Sequence, residues 1–183
     1  MRINTILTPL MVEELYFAGR ISVVIDVLRA TSTIVTAIKN GAKEIVPVGS
    51  LDFSKIASAS SFGGRTMRGG EKNSKKIEGF DLGNSPLEYS AEVVAGKSIV
   101  FFTTNGSKAI VKTKYGTGSF ICSFLNVSKV AEHVAGLGKD IDVICSGRNG
   151  DFSLEDTVCA GMLIDEVLKL GGDLELSDAS KVA

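Results

Sequence analysis

The chain has 183 residues, 44% of them hydrophobic and 22% charged, with a formal net charge of -1 at pH 7. That length supports one domain with a sizeable core, or two small lobes sharing a sheet. The near-neutral balance argues against a nucleic-acid groove or a polybasic membrane-facing surface, and no apolar run approaches the length of a membrane span.

In chain order, strand-like runs fall at residues 3–7, 21–26, 44–48, 98–103, 119–122 and 141–145. Helix-like runs fall at 32–40, 51–59, 86–95, 106–112, 127–135 and 154–170. Their alternation predicts a single α/β domain, layered α/β/α around a mostly parallel or mixed sheet. The polar, glycine-rich stretch 63–86 is too long for a routine connection and is expected to be a functional or disordered loop. Residues 23–46 and 99–122 both read strand, polar turn, helix, glycine, strand, which suggests two similar βαβ-type halves. The N-terminal MRINTILTPLMVEE has no signal-peptide core. The three cysteines, Cys122, Cys145 and Cys159, sit beside apolar residues without metal-type spacing. Buried thiols in a cytoplasmic protein are the expectation.

In open α/β sheets, ligands bind beyond the carboxyl ends of the strands. Polar clusters occur at such ends, or in the long loop: DVLRATST (26–33), GGEKNSKKIEGFDLGNSP (69–86), TTNGSKA (103–109) and SGRNGDFSLED (146–156). In TTNGSKA, Thr104, Asn105, Gly106 and Ser107 lead into a helix whose free N–H groups favour an anion, although an ordinary capped turn explains the same residues. DVLRATST has the same shape, with Arg29 able to fork onto a phosphate or sulfonate. A substrate with two anionic groups suits the two turns.

Among the carboxylates, Asp26 is the most telling, because an acid directly after an apolar strand is costly unless it is paired or metal-bound. Glu155 and Asp156 open a helix, where the dipole alone favours acids. Glu71 and Asp81 lie in the polar stretch, where a solvated loop charge is the plain alternative. Oxygen ligands without a histidine or cysteine partner point to Mg²⁺ rather than zinc. The only histidine, His133, lies near a helix end and reads as structural or surface, and no nucleophile elbow, P-loop or dinucleotide fingerprint is present.

VVIDVLRATST, GFDLGNSPLEY, FTTNGSKAI and SLEDTVCAG together resemble the 2-phosphosulfolactate phosphatase family, in order from about Ile3 to about Gly171. The resemblance implies a three-layer α/β/α fold and Mg²⁺-dependent hydrolysis of 2-phospho-3-sulfolactate to 3-sulfolactate and inorganic phosphate. In methanogens that reaction belongs to coenzyme M biosynthesis. The resemblance also implies further residues beyond Ala183, with another helix and strand and a histidine-glycine motif. The chain is therefore expected to be C-terminally truncated, or completed by a partner chain, and a homo-oligomer is left open.

On this reading Asp26 and Arg29 are catalytic. Asp26, Glu71, Glu155 and Asp156 are the candidate metal ligands or water-orienting groups. Arg29 with Thr31 and Ser32 is expected to hold one anion, and Thr104, Asn105, Gly106 and Ser107 another. Asn84 and Ser85 are expected to hydrogen-bond the substrate or their own loop. The expected partner is a small anionic molecule carrying phosphate plus sulfonate or carboxylate. The alternatives are a phosphatase of the same fold for another small phosphorylated acid, and a non-catalytic binder of a small polyanion.

Overall fold

A computed structural model describes residues 1–54, 66–171 and 173–183. In chain order the strands are β1 (Arg2–Ile6), β2 (Ile21–Ile25), β3 (Glu44–Pro47), β4 (Thr66–Lys72), β5 (Lys75–Lys76), β6 (Ser98–Phe102), β7 (Gly118–Cys122), β8 (Ile141–Cys145) and β9 (Glu175–Leu176). The helices are α1 (Ala30–Lys39), α2 (Ala91–Val94), α3 (Gly106–Lys112), α4 (Val127–Leu137), α5 (Leu154–Lys169) and α6 (Asp178–Val182). Residues 51–54 are also helical, and positions 55–59 of the helix expected there lie outside the described residues.

The strands form a five-stranded sheet, ordered β7-β2-β8-β1-β9, and a four-stranded one, ordered β3-β6-β4-β5. All pairings are parallel except that of β4 with β5. β2, β6 and β8 are buried along their whole length. Their near-continuous apolar runs suit interior parallel strands covered on both faces. On one face of the larger sheet, Val23, Ile25 and Val143 pack against Val130, Val134, Leu163 and Val167 of α4 and α5. On its other face Val24 and Ile144 meet Ala109 of α3. Ile34 and Ala37 of α1 pack with Ile99 and Phe101 of β6, so α1 and α3 lie between the sheets. Around the larger sheet the arrangement is three-layer α/β/α, and the smaller sheet covers the inner helices.

Each repeated unit spans both sheets. The path β2–α1–β3 leaves the large sheet for the small one, and β6–α3–β7 makes the reverse crossing. The strands within each unit never pair with each other; β2 pairs with β7 and β6 with β3. The halves are therefore interlocked rather than two separate βαβ crossovers.

The stretch expected to be an irregular loop is ordered over its described part. β4 and β5 form a hairpin through Asn73 and Ser74, whose φ values of 53° and 65° are left-handed. Two such residues in succession are what a tight hairpin turn requires. The helix expected over 86–95 is split into a 3₁₀ turn, Pro86–Glu88, and α2. Between them the chain becomes extended at Ser90, while the buried Tyr89 ring enters the core and its hydroxyl donates to Gly83 O at 2.7 Å. At the other end, α6 docks on β1 and α5 through the buried Ser180, whose hydroxyl donates to Ile3 O at 2.9 Å. The three thiols are buried and unpaired, and no described helix is long and apolar enough to cross a membrane.

Gly69 and Gly70 let β4 lie against its neighbours. A Cβ on Gly69 would sit 2.3 Å from the Tyr89 hydroxyl, and one on Gly70, where φ is +130°, would sit 1.8 Å from Phe102 O. Gly70→Ala therefore combines a backbone clash with an unfavourable φ, and should cost about 3 kcal/mol or more of stability. Urea unfolding would check this; a loss below about 1 kcal/mol would show that β4 can shift to make room.

Candidate active site

The carboxyl ends of β2, β6 and β8 open onto a cleft of roughly 470 Å³. Asp26 follows β2 directly and is only 7% exposed. Its Oδ1 accepts from Ala30 N, the first residue of α1, at 3.1 Å. Its Oδ2 lies so close to Gly106, the first residue of α3, that a Cβ there would be 2.3 Å away. The turn carrying Asp26 is tied down by its own hydroxyls. Thr31 Oγ1 donates to Asp26 O at 2.8 Å and accepts from Asp26 N at 3.1 Å, while Ser32 Oγ donates to Val27 O at 2.8 Å.

Asp156, in the first turn of α5, reaches back to the same turn. Its Oδ1 accepts from Val27 N at 2.8 Å, and its Oδ2 accepts from Gly147 N and Ser146 Oγ, both at 3.2 Å. Ser153 caps the helix by accepting from Asp156 N at 3.5 Å. Glu71, at the end of β4, does similar work across the cleft: Oε1 accepts from Thr104 N at 2.7 Å and Oε2 from Ser74 N at 2.5 Å. The turns after β2, β6 and β8 and the β4–β5 hairpin are thus stitched together by buried carboxylates.

Burial raises the Asp26 pKa from its ordinary value to about 6, against the pull of the Ala30 amide and the Ser146 hydroxyl, and the Glu71 charge raises it further. Burial likewise raises Asp156 to about 7, with the Val27 amide opposing and the Asp26 charge adding. Desolvation disfavours each charged form, and each charge disfavours its neighbour. Two acids pushed up in one cleft are a functional-site signal in their own right.

Of the residues singled out from sequence, the cleft brings together Asp26, Arg29, Glu71, Asn84, Thr104, Asn105, Glu155 and Asp156. Thr31, Ser32, Ser85, Gly106 and Ser107 are not among its lining residues. Their roles are local: Thr31 and Ser32 brace the Asp26 turn, Gly106 makes room for Asp26, and Ser107 is buried, donating to Val48 O at 2.9 Å. Ser85 offers its carbonyl to Glu88 N at 2.9 Å. His133 is exposed and packs edge-on against Phe120, away from the cleft. Sequence reasoning missed Asn73, Ser74, Arg148, Asn149 and Ser153 as lining residues. Asn73 and Ser74 were detectable as a left-handed hairpin pair, and Arg148 as the one cation in SGRNGDFSLED.

A sequence model of the 2-phosphosulpholactate phosphatase family matches residues 6–183. The chain belongs to this family. A probable 2-phosphosulfolactate phosphatase of Clostridium perfringens is 41% identical over 185 residues, covering 100% of this chain and 74% of the relative. One from Clostridium novyi is 42% identical over 184 residues, covering 100% and 77%. One from Caldanaerobacter subterraneus is 45% identical over 165 residues, covering 88% and 66%.

For a member of this phosphatase family, the fit of the cleft to Mg²⁺ can be tested on its own atoms. No group of three or more His, Cys, Asp or Glu side chains among the described residues is arranged to enclose a metal by itself. Mg²⁺ does not need such a cage, since it keeps several waters and takes one or two carboxylates plus substrate oxygens. Asn84 supplies the decisive detail. It is 6% exposed and lines the cleft, yet its Oδ1 has no hydrogen-bond partner among the described residues. An orphaned carbonyl oxygen lining the same cleft as a buried carboxylate suits a hard cation. The residues fit.

The raised pKa of Asp26 has a thermodynamic consequence. The folded chain holds that proton more tightly than the unfolded one, so the Asp26 contribution to stability is greatest at about pH 4 and falls as pH rises through about 6. Asp26→Asn removes the titration. Without divalent cations, the variant should gain on the wild type by up to about 3 kcal/mol between pH 4 and pH 8. Denaturant unfolding across that range measures the gap; a gap that stays constant with pH would mean that Asp26 is not held in its neutral form.

Proposed function

We propose that the chain hydrolyses 2-phospho-3-sulfolactate to 3-sulfolactate and inorganic phosphate, with Mg²⁺ as cofactor. The observation that carries this reading is the convergence on one cleft of the buried, backbone-clamped Asp26, the orphaned Asn84 Oδ1 and the Arg29 guanidinium. Family membership and the names of the relatives support the substrate.

Asp26 and Asn84 Oδ1 would hold the metal, with water and substrate oxygens completing its shell. When bound, Mg²⁺ supplies positive charge that offsets the charge developing on the phosphoryl oxygens. Arg29, at the N-terminus of α1, takes two of those oxygens in a guanidinium fork. Glu155 lines the cleft and makes no hydrogen bond or ion pair among the described residues, so its carboxylate is available to orient a water. The water oxygen bonds to phosphorus as the ester P–O bond breaks. Glu155 takes one proton of the water and gives it up, through solvent, to the departing sulfolactate oxygen. Glu71 and Asp156 hold the turns in place through backbone amides, and their role is positioning.

Asp26→Asn should lower phosphate release by roughly 10³-fold while the variant remains folded. Circular dichroism and a phosphate assay on the same sample separate these outcomes, and an active variant would remove Asp26 from the mechanism. Protons should also compete with metal at Asp26 below its raised pKa of about 6. The Mg²⁺ concentration for half-maximal release should then climb about tenfold per pH unit below that point. Release that persists in excess chelator would overturn the metal requirement.

A further inference from the structure

Arg148 is the second guanidinium of the cleft, and the mechanism above leaves it without a role. β8 ends at Cys145, which is in register with Ile25 of β2. The Arg148 and Asp26 turns therefore leave the sheet from adjacent parallel strands, about 5 Å apart.

The Arg148 turn is closely braced. Arg148 N donates to Asp151 O at 2.9 Å, and Asp151 N donates to Arg148 O at 3.0 Å. Between them Asn149 and Gly150 have φ values of 54° and 92°, a left-handed pair that closes a two-residue turn. Asn149 N donates to Asn105 Oδ1 at 3.0 Å, and Thr8 Oγ1 donates to Gly150 O at 3.0 Å. A Cβ on Gly147, where φ is +68°, would approach Asp151 O to 2.4 Å, so the turn closes only with glycine there. The scaffold fixes where the Arg148 side chain starts, yet its guanidinium makes no hydrogen bond or ion pair among the described residues.

Charge balance says what belongs on it. Among the described residues, Arg29 and Arg148 are the only cationic side chains lining the cleft, against the carboxylates of Asp26, Glu71, Glu155 and Asp156. A substrate that brings a sulfonate and a carboxylate besides its phosphate adds more negative charge to that set. With Arg29 at the phosphoryl end, a second oxyanion would face carboxylates unless a cation meets it. Resting on the phosphatase reading for the phosphoryl end, we infer that Arg148 binds the second oxyanion of the substrate, sulfonate or carboxylate. It thereby selects polyanionic phosphate esters over simple ones. A guanidinium suits either oxyanion, because its paired N–H groups match two oxygens at once.

The test compares wild type, Arg148→Gln and Arg148→Lys on 2-phospho-3-sulfolactate, 2-phospholactate and p-nitrophenyl phosphate. The ratio of kcat/KM for the sulfonated substrate to that for the aryl phosphate should fall at least tenfold in Arg148→Gln, mainly through KM. Arg148→Lys should recover part of it. If the ratio to 2-phospholactate falls as well, Arg148 holds the sulfonate; if that ratio stays constant, it holds the carboxylate. An unchanged ratio to the aryl phosphate overturns the inference. Calorimetric binding of 3-sulfolactate, which lacks the phosphoryl group, tests Arg148 apart from catalysis. Weaker binding by Arg148→Gln without turnover in any variant would sink the phosphatase reading and leave the Arg148 site standing. Equal binding by wild type and variant would do the reverse.

Discussion

The site depends on the burial of negative charge at the carboxyl ends of parallel strands. The Asp26 charge raises the pKa of Asp156, the Glu71 charge raises that of Asp26, and the Ser146 hydroxyl opposes both shifts. Removing two carboxylates from water is unfavourable unless fixed dipoles replace the lost hydration. Backbone amides at the start of α1 and in the turns after β2 and β8 provide those dipoles. The loops around the cleft are therefore shaped by what the acids must accept. Residual destabilisation remains in the raised pKa values, as expected where stability is given up for function.

Interlocking of the two sheets brings the acids and cations to one place. Because β2–α1–β3 and β6–α3–β7 cross in opposite directions, the first residues of α1 and α3 meet. A Cβ on Gly106 would lie 2.4 Å from that of Ala30. Arg29 and Asn105 occupy the same position just before these helices, one offering a cation and the other an amide that anchors the Arg148 turn. The approach works only with a residue lacking a side chain at 106, because Asp26 and Ala30 fill the space. The internal echo in the sequence is thus the trace of a paired crossover, and the cleft lies where the two crossings begin.

The sequence by itself determined the buried strands, most of the helices and the choice of Asp26. Fully buried parallel strands read as apolar runs, amphipathic helices carry their own period, and a carboxylate directly after such a run is locally conspicuous. The folded chain decided the rest. Thr31, Ser32 and Ser107 look like ligand hydroxyls in one dimension, but their bonds go to backbone groups that only the folded turn brings near. The strand character of β4 was hidden because its glycines answer to Tyr89 and Phe102, far along the chain. Arg148 became visible as a cleft residue only once β8 was placed beside β2. Local pattern reports burial and period, whereas the direction in which a polar side chain is used depends on neighbours that the tertiary structure supplies.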